Sequence, residues 1–253
     1  MGNVGLQLYS VREAAAQNFL GTVRNVADIG YDAVQFAGFF ETPASQVKQV
    51  LDEKQLRVAG SHTAIDVLHG DKLKETIAYN QEIDNKLIIC PYLPENKRDS
   101  EDSYKRTAEE LNRIGQVCQE HGMTFGYHNH DFEFDALNET TGFDLIFENT
   151  DPEFVKIELD CFWAIYAGHN PGKIIEKYEN RVVSLHIKDM VEVEGKRRST
   201  EIGFGKLNMK EFLKVAKSSF VDWLVVEQED FDQDPMESAK INRDNLHALL
   251  NLK

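Results

Sequence analysis

Short apolar runs alternate with longer amphipathic ones along almost the whole chain. The runs "VGLQLYSV", "DAVQFAGF", "RVAGSHTA", "KLIICPYL", "MTFGYHNH", "VKIELDCFW", "RVVSLHIKD" and "DWLVVEQED" are rich in β-branched and aromatic residues. Bounded by Gly, Asp, Asn or Lys, they predict strands. Between them, apolar residues recur at helical spacing in "NFLGTVRNVADIG", "ASQVKQVLDEKQ", "DKLKETIAYNQEID" and "SYKRTAEELNRIGQVCQEHG". The same spacing continues in "GFDLIFENTD", "PGKIIEKYENR", "NMKEFLKVAKSSF" and "ESAKINRDNLHALL". Gly30 and Gly122 supply stop signals, and Ser100 and Asn208 supply start signals.

Eight strand–helix units in 253 residues match the count and size of a (β/α)8 TIM barrel. An open doubly wound sheet would carry a Gly-rich turn after its first strand, and "LQLYSVREAAAQ" has none. No Pro/Gly/Ser-rich linker interrupts the pattern, so residues 1–253 are expected to form a single TIM-barrel domain.

In such a barrel, chemistry collects at the C-terminal strand ends. Those ends carry Gln7 and Tyr9, Gln35, His62, His128 and His130, Asp160, His186 and Lys188, and Glu227. Side chains alternate across a strand, so His128 shares a face with His130, Glu158 with Asp160, and His186 with Lys188. If Leu185 and Ile187 face the helices, His186 and Lys188 face the axis. The same parity turns Asp160 and Glu227 inward beside Leu159 and Val226. Burying such groups without partners costs several kcal/mol each. One shared divalent cation would satisfy His128, Asp160, His186 and Glu227 together. Taken singly these residues have plainer readings. A lone strand-end histidine is more often hydrogen-bonded structure than a ligand, and Glu158 would pair with a lysine deeper in the barrel.

Composition narrows the partners. Acidic residues outnumber basic ones by 43 to 28, a formal charge of −15. Nucleic acid and anionic membranes reward clustered Lys and Arg, so neither is expected as partner. Cys90, Cys118 and Cys161 are odd in number and widely spaced, and read as buried thiols of a reducing compartment. The N-terminus has no signal-peptide pattern and no apolar run is long enough to span a bilayer. A cytoplasmic location is expected, with homo-oligomerisation left open.

The ordered series "QLYSVR", "GYDAVQFAGF", "GSH", "GYHNHDFEF", "ELDCFWAIYAGHNP", "LHIKD", "GFGKLN" and "VVEQED" resembles the sugar phosphate isomerase/epimerase superfamily across essentially the whole chain. These are xylose isomerase-like TIM barrels that include ketose 3-epimerases and inosose dehydratase. The resemblance implies a divalent metal, commonly manganese, with cobalt, magnesium or zinc as alternatives. Asp160, His186 and Glu227 match its ligands on the sixth, seventh and eighth strands. On the fifth strand, epimerases place a glutamate where this chain has His128.

The implied activity is isomerisation or epimerisation of a sugar or keto-sugar by proton abstraction α to a carbonyl. In epimerases two glutamates work on opposite substrate faces. Here Glu227 would be one, with Glu133 or His130 as the second acid/base group and Lys188 as acid, base or hydroxyl clamp. The alternative is a lyase that dehydrates a keto-inositol or 3-keto-sugar, with a non-catalytic metal-binding homologue a further one. An apurinic endonuclease, hosted by the same scaffold, is disfavoured by the charge. Gln7, Tyr9, Phe36, His62 and Trp163 are the candidate substrate contacts. Gly203 and Gly205 in "GFGKLN" would either open backbone N–H groups to a phosphate or sugar hydroxyl, or merely turn the chain.

Overall fold

The structure is a computed structural model and describes residues 3–251. Eight parallel strands close into a barrel: β1 Asn3–Gln7, β2 Ala33–Phe36, β3 Arg57–His62, β4 Leu87–Cys90, β5 Thr124–His128, β6 Lys156–Asp160, β7 Val182–Ile187 and β8 Trp223–Val226. Each pairs with its neighbours in sequence, and β8 closes onto β1 with Leu224 opposite Val4. The eight helical patterns become α1 Phe19–Ile29, α2 Ala44–Lys54, α3 Gly70–Glu82, α4 Glu101–Glu120, α5 Gly142–Glu148, α6 Pro171–Lys177, α7 Met209–Lys217 and α8 Pro235–Asn251. The expected (β/α)8 barrel is the observed one.

Parity built this arrangement. Val4 and Leu6, Val34 and Phe36, Phe125 and Tyr127, Leu159, Leu185 and Ile187, and Val226 are buried in the apolar layer between barrel and helices. Each such side chain removed from water is worth roughly 1.5–3 kcal/mol. Inside the barrel, Ala33, Ala59 and Val225 pack together above Trp223. Higher up the interior turns polar, with Gln7, Gln35, His128, Glu158, Ser184 and His186 all buried. Gly60 makes room for this change. It lies opposite Gln35 where the β2–β3 register shifts, at φ +136°, and a Cβ there would sit 3.3 Å from Gln35 Nε2.

Some segments depart from the pattern. The tail of "VKIELDCFW" is not strand: a short helix, Cys161–Tyr166, starts immediately after β6. Its cap is Asp160, whose Oδ1 accepts from the Trp163 amide at 3.0 Å, so the side chain that ends the strand also begins the helix. Arg12–Gln17 forms another short helix. Asp189–Val193 and Lys196–Thr200 form an antiparallel hairpin above β7. Among the described residues, no helix is long and apolar enough to cross a membrane. All three cysteines are buried free thiols, and burial pushes Cys90 and Cys118 up to about 12.

Candidate metal centre

β5 to β8 deliver the charged residues. His128 ends β5, Glu158 and Asp160 end β6, His186 and Lys188 lie at the end of β7, and Glu227 follows β8. All six are buried. Ligand atoms of His128, Asp160, His186 and Glu227 lie within 4.8 Å of one another. An overlapping group, His62, His128, Glu158 and His186, meets the same limit.

Hydrogen bonds fix which imidazole nitrogen faces which way. Gln35 Nε2 donates to Glu158 Oε2 at 2.6 Å, which leaves Gln35 Oε1 facing His186 Nε2 at 2.7 Å. An amide oxygen only accepts, so His186 carries hydrogen on Nε2 and turns Nδ1 toward Glu227 Oε2, 3.1 Å away. In a neutral ring that contact would set two lone pairs against each other. A proton or a cation must lie between them. His128 Nδ1 lies 3.1 Å from Glu158 Oε1, and its Nε2 faces Asp160 Oδ2 at 3.8 Å.

Asp160 completes the set. Its Oδ1 caps the short helix, whereas Oδ2 is buried with no hydrogen-bond partner. Lys188 Nζ is 2.9 Å from that oxygen but badly aligned for a hydrogen bond. The same ammonium lies 2.8 Å from Glu227 and 2.7 Å from Glu229. Two imidazole nitrogens and two carboxylate oxygens, one of them the Asp160 Oδ2 that no hydrogen bond satisfies, are a donor set that fits a divalent cation.

Electrostatics agree with this division. Burial works against ionisation of Glu227, but Lys188 and His186 outweigh it and hold the carboxyl well below its usual range. Burial likewise opposes charge on Lys188, and Asp160, Glu227 and Glu229 overcome it. For His186 burial lowers basicity, yet Glu158 and Glu227 hold the ring up to about 10. His128 goes the other way, pushed down to about 4 by burial and by His186.

The "HNH" stretch divides its tasks. His128 points into the cluster. Asn129 Oδ1 accepts from the Asp160 amide at 3.0 Å and so ties β5 to β6. His130 lies at the rim beside His128 and Trp163, with ring centroids 5.1 and 6.0 Å away, and its buried Nδ1 has no partner. Glu133 is not among the cluster. Its fully buried carboxylate accepts from the Tyr127 hydroxyl and, at 2.7 Å, from the His130 amide. The short turn Phe132–Phe134 carries it back beneath the loop.

Burial raises the Glu133 carboxyl from 4.5 to about 7. The folded state therefore binds this proton more tightly than the unfolded chain does. Its contribution to stability is fully present below pH ~4.5 and is lost as pH rises through ~7. Glu133→Gln mimics the protonated acid. The variant should gain up to about 3 kcal/mol on wild type between pH 4.5 and 8, read from urea unfolding at each pH. A pH-independent difference would mean that Glu133 ionises as an ordinary carboxylate.

Other sequence candidates fall in different places. Phe36 is not at the mouth: with Gln35 turned to the axis, its ring points outward and packs on Phe19 and Phe39, 6.0 and 5.0 Å away. Gln7 is fully buried and donates to Gln35 at 2.7 Å. Tyr9 stays exposed at the rim, with Arg12 4.7 Å above its ring. His62 joins the interior network, with Nε2 2.7 Å from Glu158 Oε1. Trp163 is half-buried, 5.6 Å from Lys188 Nζ, with an unpartnered indole N–H.

Among the described residues Glu158 has no lysine partner: Gln35, Ser184, His62, His128 and His186 surround it. Nor are the "GFGKLN" amides open to a phosphate. Asp189 Oδ2 accepts from Gly203 and Gly205 at 3.0 and 3.1 Å, and Oδ1 accepts from Leu207 at 3.1 Å. The loop turns around that carboxylate. Sequence reasoning passed over Glu229, although its spacing from Glu227 places both on one side of the chain.

The profile of the xylose isomerase-like TIM barrel family matches residues 23–251. The chain belongs to that family. Among similar sequences of this family is the inosose dehydratase of Clostridium botulinum (strain Alaska E43 / Type E3). It is 22% identical over 252 residues, covering 86% of this chain and 83% of the relative. The crystal structure of a sugar phosphate isomerase/epimerase from Parabacteroides distasonis superposes with a TM-score of 0.80. Its identity is 25%, with 98% of this chain and 94% of that one covered. An L-ribulose 3-epimerase shares the fold at a TM-score of 0.77 and 18% identity, covering 99% and 95% of the two chains. Like these xylose isomerase-like relatives, the chain is an enzyme.

Proposed function

We propose that this enzyme removes the proton α to a carbonyl of a keto-sugar or keto-inositol, with one divalent metal ion held by His128, Asp160, His186 and Glu227. Manganese is the favoured ion, with cobalt, magnesium and zinc as alternatives. The observation that carries the reading is the convergence of those four residues around Asp160 Oδ2, a buried oxygen that no hydrogen bond satisfies and that has the Lys188 ammonium 2.9 Å away. A cation held there would polarise the substrate carbonyl and offset the charge that develops on its oxygen.

The protein's own groups do the rest. Glu227, ionised and at the edge of the cluster, accepts the α-proton. Lys188, a buried ammonium against Glu227 and Glu229, donates a proton to oxygen. When that oxygen is the β-hydroxyl, the C–O bond breaks, water leaves and a double bond forms between the α- and β-carbons, which is dehydration. Trp163 and Tyr9 would bound the sugar at the rim, and His62 and Gln7 would act behind the cluster.

Dehydration is the better-supported reading for two reasons. Lys188 is a protonated donor already in contact with Glu227, and Glu133, the candidate second carboxylate, is turned away into bonds with Tyr127 and His130. Epimerisation stays as the second reading because His130 Nδ1 is unpartnered at the rim and could return a proton from another face.

Incubating protein, Mn2+ and a panel of keto-inositols and keto-sugars in D2O tests both. Dehydration gives a product lighter by one water, and epimerisation gives deuterium at the α-carbon with no loss of mass as water. His128→Ala should lose stoichiometric metal, while His130→Ala should keep it. Should no panel substrate exchange with solvent in a metal-loaded protein, proton abstraction is the wrong chemistry.

A further inference from the structure

Glu158 is the group around which the two histidines of the centre are oriented. Its carboxylate accepts from His62 Nε2 at 2.7 Å and His128 Nδ1 at 3.1 Å on one oxygen. The other oxygen accepts from Gln35 Nε2 at 2.6 Å and Ser184 Oγ at 2.8 Å. Four donors use the accepting capacity of an ionised carboxylate fully. It is completely buried, and the imidazoles keep it ionised against the pull of burial. Gln35, gripped by Glu158, in turn presents its oxygen to His186 Nε2.

The cluster His62, His128, Glu158 and His186 also has the composition of a second metal site. Protons decide against an ion there beside the first. It would need the nitrogens of His128 and His186 that face away from Asp160 and Glu227. Both rings would then be stripped of every proton.

We infer that Glu158 is a positioning residue, which holds the Nδ1–H tautomer of His128 directly and the Nε2–H of His186 both across its own 3.0 Å contact and through Gln35, so that one nitrogen of each ring is left for a single metal ion. This rests on the metal reading of the site given above. It also accounts for the departure at the fifth strand. By the resemblance, epimerases place a glutamate where this chain has His128, and Glu158, opposite it on the adjacent strand, backs that histidine with a carboxylate. Carboxylates that back a ligating imidazole sharpen its orientation and raise its basicity. Their removal costs about 10–100-fold in metal affinity.

Two measurements on the full chain test it. The first is Mn2+ binding followed by electron paramagnetic resonance in wild type, Glu158→Gln and Gln35→Leu. The second is the tautomer of His128 from two-bond 1H–15N spectra of metal-free protein, a quantity that general loosening of the fold does not select. Wild type is expected to bind one Mn2+ and to show His128 as Nδ1–H. Both variants should bind about 10–100-fold more weakly at unchanged stoichiometry, and Glu158→Gln should lose the Nδ1–H preference. If Glu158→Gln does not fold, Gln35→Leu and the wild-type tautomer still decide. Unchanged affinity in the variants that fold, an Nε2–H tautomer in wild type, or two ions per wild-type chain each overturns the role of Glu158. A wild type that takes up no Mn2+ overturns instead the metal reading beneath it.

Discussion

Glu227→Gln is expected to lower turnover by about 1,000-fold, in the middle of the range that one acid/base group contributes. The substitution keeps the shape of the side chain and one oxygen for Lys188 and His186, which lie 2.8 and 3.1 Å from the carboxylate. It removes the site that receives the α-proton. Trp163→Ala should behave differently, raising KM about tenfold while kcat changes little. The half-buried indole offers area and one N–H to substrate and transition state alike. Steady-state kinetics on the substrate found by deuterium exchange separate the two. Equal losses in both variants, or turnover surviving Glu227→Gln, would move the base elsewhere, with His130 next in line.

Lys188→Met should reveal how strongly the centre depends on positive charge. Lys188 is fully buried, and its Nζ lies within 2.9 Å of Asp160, Glu227 and Glu229. Taking away one partner of such a buried network leaves uncompensated carboxylates and costs about 3–5 kcal/mol. For a chain of this length that is a fall of about 10 °C in Tm. The loss should be largely reversed by millimolar Mn2+, because a divalent cation supplies the missing charge between Asp160 and Glu227 and binds only the folded state. Wild type should gain less from the same addition. Differential scanning calorimetry with and without metal reads both effects. An equal metal-induced rise in the two proteins would show that Lys188 and the ion do not share those carboxylates.

Much of this protein was legible in its sequence because strand parity is a local property. Leu185 and Ile187 are apolar and their neighbours are not, so His186 and Lys188 had to face the axis once β7 existed. The same reasoning turned Asp160 and Glu227 inward, and eight alternating strand–helix units without a Gly-rich first turn matched the closed barrel that forms. What parity cannot give is the partner across the barrel. Gln35 reaches Glu158, 123 residues away, only because Gly60 and a register shift leave room, and no local signal marks that contact. Phe36 looked like a sugar platform for its aromaticity, yet its position next to Gln35 sends it outward. Glu133 looked free for chemistry, and the Gly203 and Gly205 amides looked open to a phosphate or a sugar hydroxyl. Glu133 instead accepts from the His130 amide, and the two glycine amides donate to Asp189, partners that only the folded loops bring within 3.1 Å. Local alternation thus determined which side chains enter the barrel. Which of them bond to each other, and which keep an atom free, was decided by closure of the barrel, because buried polar atoms take whatever partners the tertiary fold sets within reach.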